Sequence, residues 1–208
     1  MKMLIMISDN RHHLLEMDIS SIIMCSGYRG VGKDTFCQDL MLGNMRKWRS
    51  NSSTTKADNN FFKQLRAMII FENTTVIRGA FGDILKSEIQ KDLGFTITNE
   101  NEDEILTENG ETGCDLCVRY AREKREQEAS YFARRLFDQY SSSKAGFDGN
   151  CLFITDWKFP EELEYAIRKF PNLRIVTLRL ERQLVPIPPE PEEHELDIYP
   201  FHFRLISD

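Results

Sequence analysis

The chain has 208 residues, a length that fits one domain with a sizeable core. Hydrophobic residues make up 41% of the chain and charged residues 29%, a balance that excludes a wholly disordered chain and favours a small globular enzyme. The formal net charge of −6 argues against broad binding to nucleic acid polymers, although a local basic pocket for a small phosphorylated ligand stays compatible with it.

Targeting signals and cysteines bear on the compartment. The apolar run 3–7 is too short for the core of a signal peptide, and no stretch approaches the ~20 apolar residues of a membrane span. An odd number of cysteines, five, without a secretion signal predicts free thiols in a cytoplasmic protein with no membrane partner. Cys114 and Cys117 form a lone C-x-x-C pair. Three interpretations of this pair remain: two ordinary thiols, two ligands of a zinc site, or a redox-active pair.

The first strand leads into a glycine-rich turn. Residues 1–19 are predicted to be an N-terminal extension, followed by a single domain at 20–208. Residues 21–26 form a short apolar strand pattern, and the sequence G-Y-R-G-V-G-K-D-T (27–35) follows, which we call the glycine loop. Apolar residues then recur at helical spacing. Strand, turn and helix in this order, with Gly27, Gly32 and Lys33 at these positions, are typical of a phosphate-binding P-loop.

The physical requirements of phosphate binding agree with this pattern. Glycines let the backbone curl around a phosphate without a Cβ in the way. The curled loop points N–H groups inward, and the following helix adds the positive end of its dipole. A chance glycine-rich turn is the alternative. We predict that the loop binds ATP through Gly27, Tyr28, Arg29, Gly30, Val31, Gly32, Lys33, Asp34 and Thr35, with Lys33 reaching the β- and γ-phosphates.

One position departs from the usual P-loop pattern. Asp34 stands where a serine or threonine normally offers its hydroxyl to Mg²⁺, and Thr35 comes one residue later. A carboxylate is a hard oxygen ligand that suits Mg²⁺. We therefore predict that Asp34 binds the metal directly or through water, with Thr35 assisting.

The rest of the chain alternates between apolar segments and polar connections. The patterns predict strands near 74–81, at 151–155 and at 174–180, with an edge strand at 201–206. They predict helices at 61–71, 82–94, 117–140 and 160–170. Polar loops are predicted at 44–59, 98–113, 141–149 and 184–193.

Strands that alternate with helices predict an α/β fold, a P-loop NTPase-like three-layer sandwich with a parallel sheet and helices on both faces. Ligands of such sheets bind at the carboxyl ends of the strands. That rule brings the glycine loop, residues 83–86 and residues 156–158 to one rim.

Two charged residues follow the strand at 151–155. Asp156 stands at the strand end, where an acid in P-loop proteins commonly orders Mg²⁺ or its water shell; the alternative is a helix cap ahead of Pro160. Lys158 can face the same cleft or be a solvated surface lysine.

The predicted helix at 117–140 concentrates arginines. A phosphate clamp is the functional interpretation, because Arg122 and Arg125 share a helix face and guanidinium groups hold phosphates in two-point geometry. Glutamates interleave with the arginines, so an exposed helix laced with salt bridges is the alternative.

Three motifs carry a resemblance to known families. The glycine loop, A-F-G-D-I-L-K (80–86) and T-D-W-K-F-P-E (155–161) resemble the deoxynucleoside monophosphate kinases of phages and large DNA viruses. Residues 119–127 and 131–134 resemble the animal-type phosphomevalonate kinases, a related P-loop group. The segment from His194 to Phe203 looks like the closing segment of both families. The similarity spans roughly residues 21–206 and is patchy between 44 and 73.

The resemblance implies roles for individual residues. Arg29 and Lys33 would contact the transferring phosphates, and Asp156 matches the strand-end acid. Lys86, Arg125 and Arg134 match basic positions that serve the phosphorylated acceptor or the transfer. Lys158 occupies a place where both families favour arginine, a swap that loses bidentate geometry. The segment 179–193 would be the nucleotide-covering lid, although it is rich in proline and acidic residues.

The leading prediction is therefore a kinase that transfers the γ-phosphoryl group of ATP to a deoxynucleoside monophosphate. Its expected cofactors are ATP and Mg²⁺, the latter held by Asp34, Thr35 and Asp156. The catalytic set is Arg29, Lys33, Asp156 and Lys158, and the set that binds the small phosphorylated substrate is Lys86, Arg122, Arg125 and Arg134. A phosphomevalonate kinase and a nucleotide-binding protein without transfer activity are the alternatives. A homodimer is left open.

Overall fold

The computed structural model describes residues 17–42, 48–50, 75–142, 150–182, 185–189 and 191–207. The strands are β1 (Met17–Ser26), β2 (Trp48–Ser50), β3 (Val76–Gly79), β4 (Tyr140–Ser142), β5 (Asn150–Ile154), β6 (Arg174–Arg182) and β7 (Phe203–Ser207). The helices are α1 (Lys33–Leu42), α2 (Phe81–Leu93), α3 (Gly113–Gln127), α4 (Tyr131–Phe137) and α5 (Pro160–Lys169), with a 3-10 turn at Pro191–Glu193.

The described strands form one sheet in the order β2-β7-β6-β1-β5-β3, with β4 paired to the first residues of β1. The strands β3, β5, β1, β6 and β7 run parallel, and β2 is antiparallel to β7. The strand predicted at 201–206 is present as β7. We expected it to be an edge strand, but in the described part of the sheet β2 pairs with its outer side and is the edge strand instead.

Side chains of β1 alternate between two apolar layers, as the two-residue period of a strand requires. Ile22 and Met24 face the layer that contains α2, α3, α4 and α5. Ile23 and Cys25 face the opposite layer, where Phe36 and Leu40 of α1 pack. Helices thus cover both faces of a parallel sheet, and the predicted three-layer α/β sandwich is confirmed.

The helix predicted at 117–140 is instead two helices and a strand. Thr112 and Asp115 form a reciprocal capping box, so α3 begins at Gly113, inside the predicted loop. The backbone of Glu128 is extended and ends α3, and α4 starts three residues later. Residues 140–142 then pair with β1 as β4. The continuous run of charged and aromatic residues concealed this break.

Two predicted boundaries shift. β1 begins at Met17, so the last residues of the predicted N-terminal extension belong to the sheet, with Ile19 fully buried. β2 lies inside the loop predicted at 44–59. The helix predicted at 61–71 lies outside the described residues, as do most of the extension and most of the loops at 44–59 and 141–149. All five cysteines are free thiols, as predicted. Across the described ranges, no helix has the length and apolarity needed to cross a bilayer.

Candidate active site

The glycine loop turns sharply between β1 and α1. The φ angles of Gly27, Gly30 and Gly32 are 149°, 86° and 92°, in the region that favours glycine. At Gly27 space is also limiting, because a Cβ there would stand 2.5 Å from the backbone oxygen of Leu180. At Gly30 a Cβ would meet no atom within 4 Å, so only the backbone conformation requires glycine.

Lys33 lies back across this loop from the first position of α1. Its Nζ donates hydrogen bonds to the carbonyl oxygens of Gly27, at 2.5 Å, and Tyr28, at 3.1 Å. Burial of the ammonium group lowers the pKa of Lys33 below its ordinary value, although nearby acids act against this. The structure thus holds a half-desolvated cation over the turn that the sequence predicts to cradle phosphates.

Asp34, the predicted metal ligand, is engaged by an arginine. Its Oδ1 accepts a hydrogen bond of 2.6 Å from Nε of Arg78, which lies on β3 and also donates to Asp83 at 2.6 Å. Thr35 is exposed beside it. In the described ranges, no three His, Cys, Asp or Glu side chains cluster as a metal site. The oxygens of Asp34 and Thr35 are donors of the hard type that Mg²⁺ prefers.

Asp156 lies at the end of β5 with a partly buried carboxylate. Its two oxygens accept hydrogen bonds from the backbone N–H groups of Phe81, at 2.9 Å, and Gly82, at 2.7 Å. Burial raises the pKa of Asp156, while these two N–H groups lower it. The sequence analysis gave a cap of the helix at Pro160, α5, as the alternative role of Asp156. Asp156 does cap a helix, but the N–H groups it accepts belong to the first turn of α2.

Arg29 and Lys86 are brought together by an acid that the sequence analysis missed. Arg29, 70% exposed, forms an ion pair with Glu102, and Lys86 Nζ lies 3.7 Å from the same carboxylate. Lys86 also donates to Oδ1 of Asn99 at 3.0 Å. Gly113 allows this approach, since a Cβ there would stand 3.0 Å from the Cα of Glu102. The pattern of 98–113 indicated only an exposed acidic loop.

Arg125 packs against the segment that follows β5, and Lys158 lies on that segment. The guanidinium carbon of Arg125 lies 4.2 Å from the ring centroid of Phe159, and its NH2 is 4.0 Å from Oε1 of Glu162. Lys158 forms an ion pair with Glu193 in the 3-10 turn. The N–H of Trp157 donates to the carbonyl of Cys25 at 3.1 Å, so this segment adjoins the end of β1 where the glycine loop begins.

The other basic candidates lie within the helical layer. Arg134 donates through Nε to both oxygens of Glu128, at 2.9 and 3.0 Å, and stacks on Tyr131. Arg122 is exposed on α3. Arg119 likewise pairs with Glu111 and Glu123, as the salt-bridge alternative predicted. Among the predicted substrate residues, Lys86 shares Glu102 with Arg29 of the glycine loop, and Arg125 packs on Phe159 in the segment after β5, so these two lie towards the rim.

A buried arginine behind the loop also escaped the sequence analysis. Arg179 of β6 donates to Asp197 at 2.7 Å and to the Ser26 hydroxyl at 3.0 Å, and its guanidinium carbon lies 4.6 Å from the Tyr28 ring centroid. Asp197 in turn accepts a 2.8 Å hydrogen bond from the Tyr28 hydroxyl. Arg179–Arg182 therefore belong to the sheet and not to a lid, and the chain near Asp197 packs against the loop. An arginine inside an apolar strand is the signal that could have found this network.

Comparisons with models of known protein families and with curated proteins gave no match for this chain.

Proposed function

We propose that the protein is a kinase that transfers the γ-phosphoryl group of ATP to a phosphorylated small molecule, a deoxynucleoside monophosphate. The observation that carries the proposal is the glycine loop, with three glycines at positive φ and Lys33 folded across it. Such a loop, at the carboxyl end of a central parallel strand and the start of a helix, has the features of an anion-binding turn.

In this proposal the residues of the chain act by binding and by balancing charge. The backbone N–H groups of the glycine loop and Lys33 bind the β- and γ-phosphates. Arg29 and Lys86 contact the phosphoryl group in transit, and Arg125 binds the phosphate of the acceptor. An oxygen of that phosphate is already an anion and serves as the nucleophile, so no general base is needed.

Asp34 and Thr35 would hold Mg²⁺ together with the nucleotide, and the metal would neutralise charge on the phosphate oxygens. For Asp34 to do so, it must give up part of its contact with Arg78, which is 2.6 Å away. Both oxygens of Asp156 already accept backbone hydrogen bonds. Asp156 would therefore act on Mg²⁺ through a water molecule and not as a direct ligand. The free thiols support a cytoplasmic location as part of the same proposal.

A nucleotide-binding protein without transfer activity is the second candidate. Lys158 replaces the arginine of the related families and is paired with Glu193, while Arg29 is paired with Glu102. A carboxylate in these positions competes with a phosphate for the same cations. Phosphomevalonate kinase stays the alternative acceptor class, on the resemblance of residues 119–127.

A coupled assay of ADP release tests the proposal. The panel contains the deoxynucleoside monophosphates and mevalonate 5-phosphate, each with ATP and Mg²⁺. Turnover of at least one deoxynucleoside monophosphate is expected. Turnover of mevalonate 5-phosphate alone would favour the alternative acceptor, and ATP binding without turnover of any acceptor would favour the second candidate.

A further inference from the structure

Glu162 is a carboxylate in an unusual environment at the start of α5. The residue is 2% exposed. Its Oε2 accepts hydrogen bonds from the backbone N–H groups of Lys158, at 3.1 Å, and Phe159, at 3.2 Å. Burying a charged group costs free energy unless it is paired, so a fully buried glutamate needs a partner for its second oxygen.

Arg125 of α3 supplies that partner. Its NH2 lies 4.0 Å from Oε1 of Glu162, a separation longer than the 2.7–2.9 Å of a charge-assisted hydrogen bond, so the contact is electrostatic. Burial raises the pKa of Glu162 to about 7, and Arg125 and the two N–H groups act in the opposite direction. The charge of Asp156 raises the pKa of Glu162 further.

Glu162 also holds the backbone of Phe159, whose ring packs against Arg125. The guanidinium carbon lies 4.2 Å from the ring centroid of Phe159 and 5.2 Å from that of Phe132. Glu162 accepts a hydrogen bond from the backbone N–H of Phe159. The Glu162 side chain therefore positions the Phe159 ring and also attracts the charged guanidinium group of Arg125. The Arg125 side chain stays 28% exposed, so a ligand in solution can reach it.

We propose that Glu162 is a positioning residue, which holds Arg125 against Phe159 so that its guanidinium group binds the phosphate of the acceptor. The inference rests on the proposed function, and it assigns the acceptor phosphate to the surface beside Arg125 and residues 156–159. Glu162 itself does not touch the acceptor. Its contribution is to keep a planar cation in one orientation before the dianion arrives, which lowers the entropy lost on binding.

At pH 8, above the pKa of about 7 that Glu162 has in the folded protein, Glu162→Gln is the sharpest variant, because the amide oxygen can still accept the N–H groups of Lys158 and Phe159 while the charge is lost. With the nucleotide site filled by a non-hydrolysable ATP analogue and Mg²⁺, calorimetry measures the affinity for each deoxynucleoside monophosphate. We expect the tightest monophosphate to bind about tenfold more weakly, and the ATP analogue to bind unchanged. In turnover, the KM for the acceptor rises about tenfold while kcat changes less than about threefold.

Two further variants separate positioning from a structural effect. Glu164→Gln, on the exposed face of the same helix, is the matched control and should leave every affinity unchanged. In an Arg125→Gln background, Glu162→Gln should have no further effect on monophosphate binding, because the residue it positions is gone. A loss of the same size in both backgrounds would overturn the inference.

The outcomes also distinguish this inference from the proposed function. If the wild-type protein binds a monophosphate that Glu162→Gln weakens but transfers nothing to it, the inference stands and the kinase proposal fails. If transfer occurs and the two proteins bind the acceptor equally, the kinase proposal stands and the inference is overturned. Absence of monophosphate binding to the wild-type protein overturns the inference as well.

Discussion

At the scale of single residues, Lys33 has the clearest test. Its ammonium group is partly buried, and burial lowers its pKa. The charge of Lys33 therefore adds little to the free energy of unfolding. We expect Lys33→Met to abolish transfer while the melting temperature of the ligand-free protein shifts by less than about 4 °C, equivalent to about 1 kcal/mol. Differential scanning calorimetry beside the ADP-release assay measures both. A much lower melting temperature would mean that Lys33 serves the fold instead.

Two glycines of the loop differ in a measurable way. A methyl group at Gly27 would stand 2.5 Å from the oxygen of Leu180 and 2.9 Å from Cγ2 of Val31, whereas at Gly30 it would meet nothing within 4 Å. We expect Gly27→Ala to lower the free energy of unfolding by about 3 kcal/mol, through overpacking and backbone strain. Gly30→Ala carries only the backbone cost, about 1 kcal/mol. Urea denaturation compares them, and equal losses would disprove the close packing at Gly27.

Residues of the site differed in how far the sequence revealed them. Gly27 and Lys33 stand out because the glycine-rich turn between a strand and a helix is encoded in nine consecutive positions. Glu102 lies 73 positions from Arg29, and only the tertiary fold brings the two together. Glu162 reads as one more acid in the first turn of a helix, and its burial depends on α3 packing against the segment after β5. A turn whose residues are consecutive can be predicted from the sequence. A contact between common residue types that are far apart in the chain cannot, because only the tertiary fold brings them together.

At the scale of elements, Asp156 ties the end of β5 to the start of α2. Its oxygens accept hydrogen bonds from the N–H groups of Phe81 and Gly82. Asp156→Asn keeps one acceptor and turns an amide NH₂ towards the other N–H group, so we expect a loss of about 2 kcal/mol in the free energy of unfolding. Amide hydrogen exchange at Phe81 and Gly82 should accelerate.

The control for this element is Asp83→Asn, in the same first turn. The Asp83 side chain is 63% exposed and contributes only a surface ion pair with Arg78, so its loss should cost about 0.5 kcal/mol or less. If exchange at Phe81 and Gly82 is unchanged in Asp156→Asn, then Asp156 does not cap α2.

Elements were predicted well where their apolar pattern was self-contained. β5, β6, α2 and α5 follow the predicted segments, because a buried strand or an amphipathic helix shows its period locally. The break between α3 and α4 was missed, since the run of charged residues and aromatics continues through it. β2 has three residues and forms by pairing with β7, so a polar stretch conceals it.

At the scale of the whole molecule, Glu162 makes stability depend on pH. Its pKa rises from 4.5 to about 7 on folding, so the folded protein binds this proton more tightly than the unfolded chain. Its stabilising contribution is complete below about pH 4.5 and is lost as the pH rises to about 7, a change of about 3 kcal/mol. Burial raises the pKa of Asp156 as well, which acts in the same direction.

Urea denaturation between pH 4.5 and 8 measures this dependence. Other carboxyls, such as Asp138 and Asp197, have lowered pKa values and act in the opposite direction, so the informative quantity is the difference between wild type and Glu162→Gln. We expect the variant to gain stability relative to wild type as the pH rises through this range, while Glu164→Gln follows wild type. Parallel curves for wild type and Glu162→Gln would show that Glu162 has an ordinary pKa in the folded protein.

We propose that the backbone amides of residues 27–35 bind the phosphates of ATP. Nuclear magnetic resonance follows those amides directly as ATP and Mg²⁺ are added to the labelled protein, with adenosine as the ligand that lacks phosphates. We expect large shifts for the amides of the glycine loop with ATP, and small ones with adenosine. Loop amides that do not move at millimolar ATP, or that respond equally to adenosine, would contradict it.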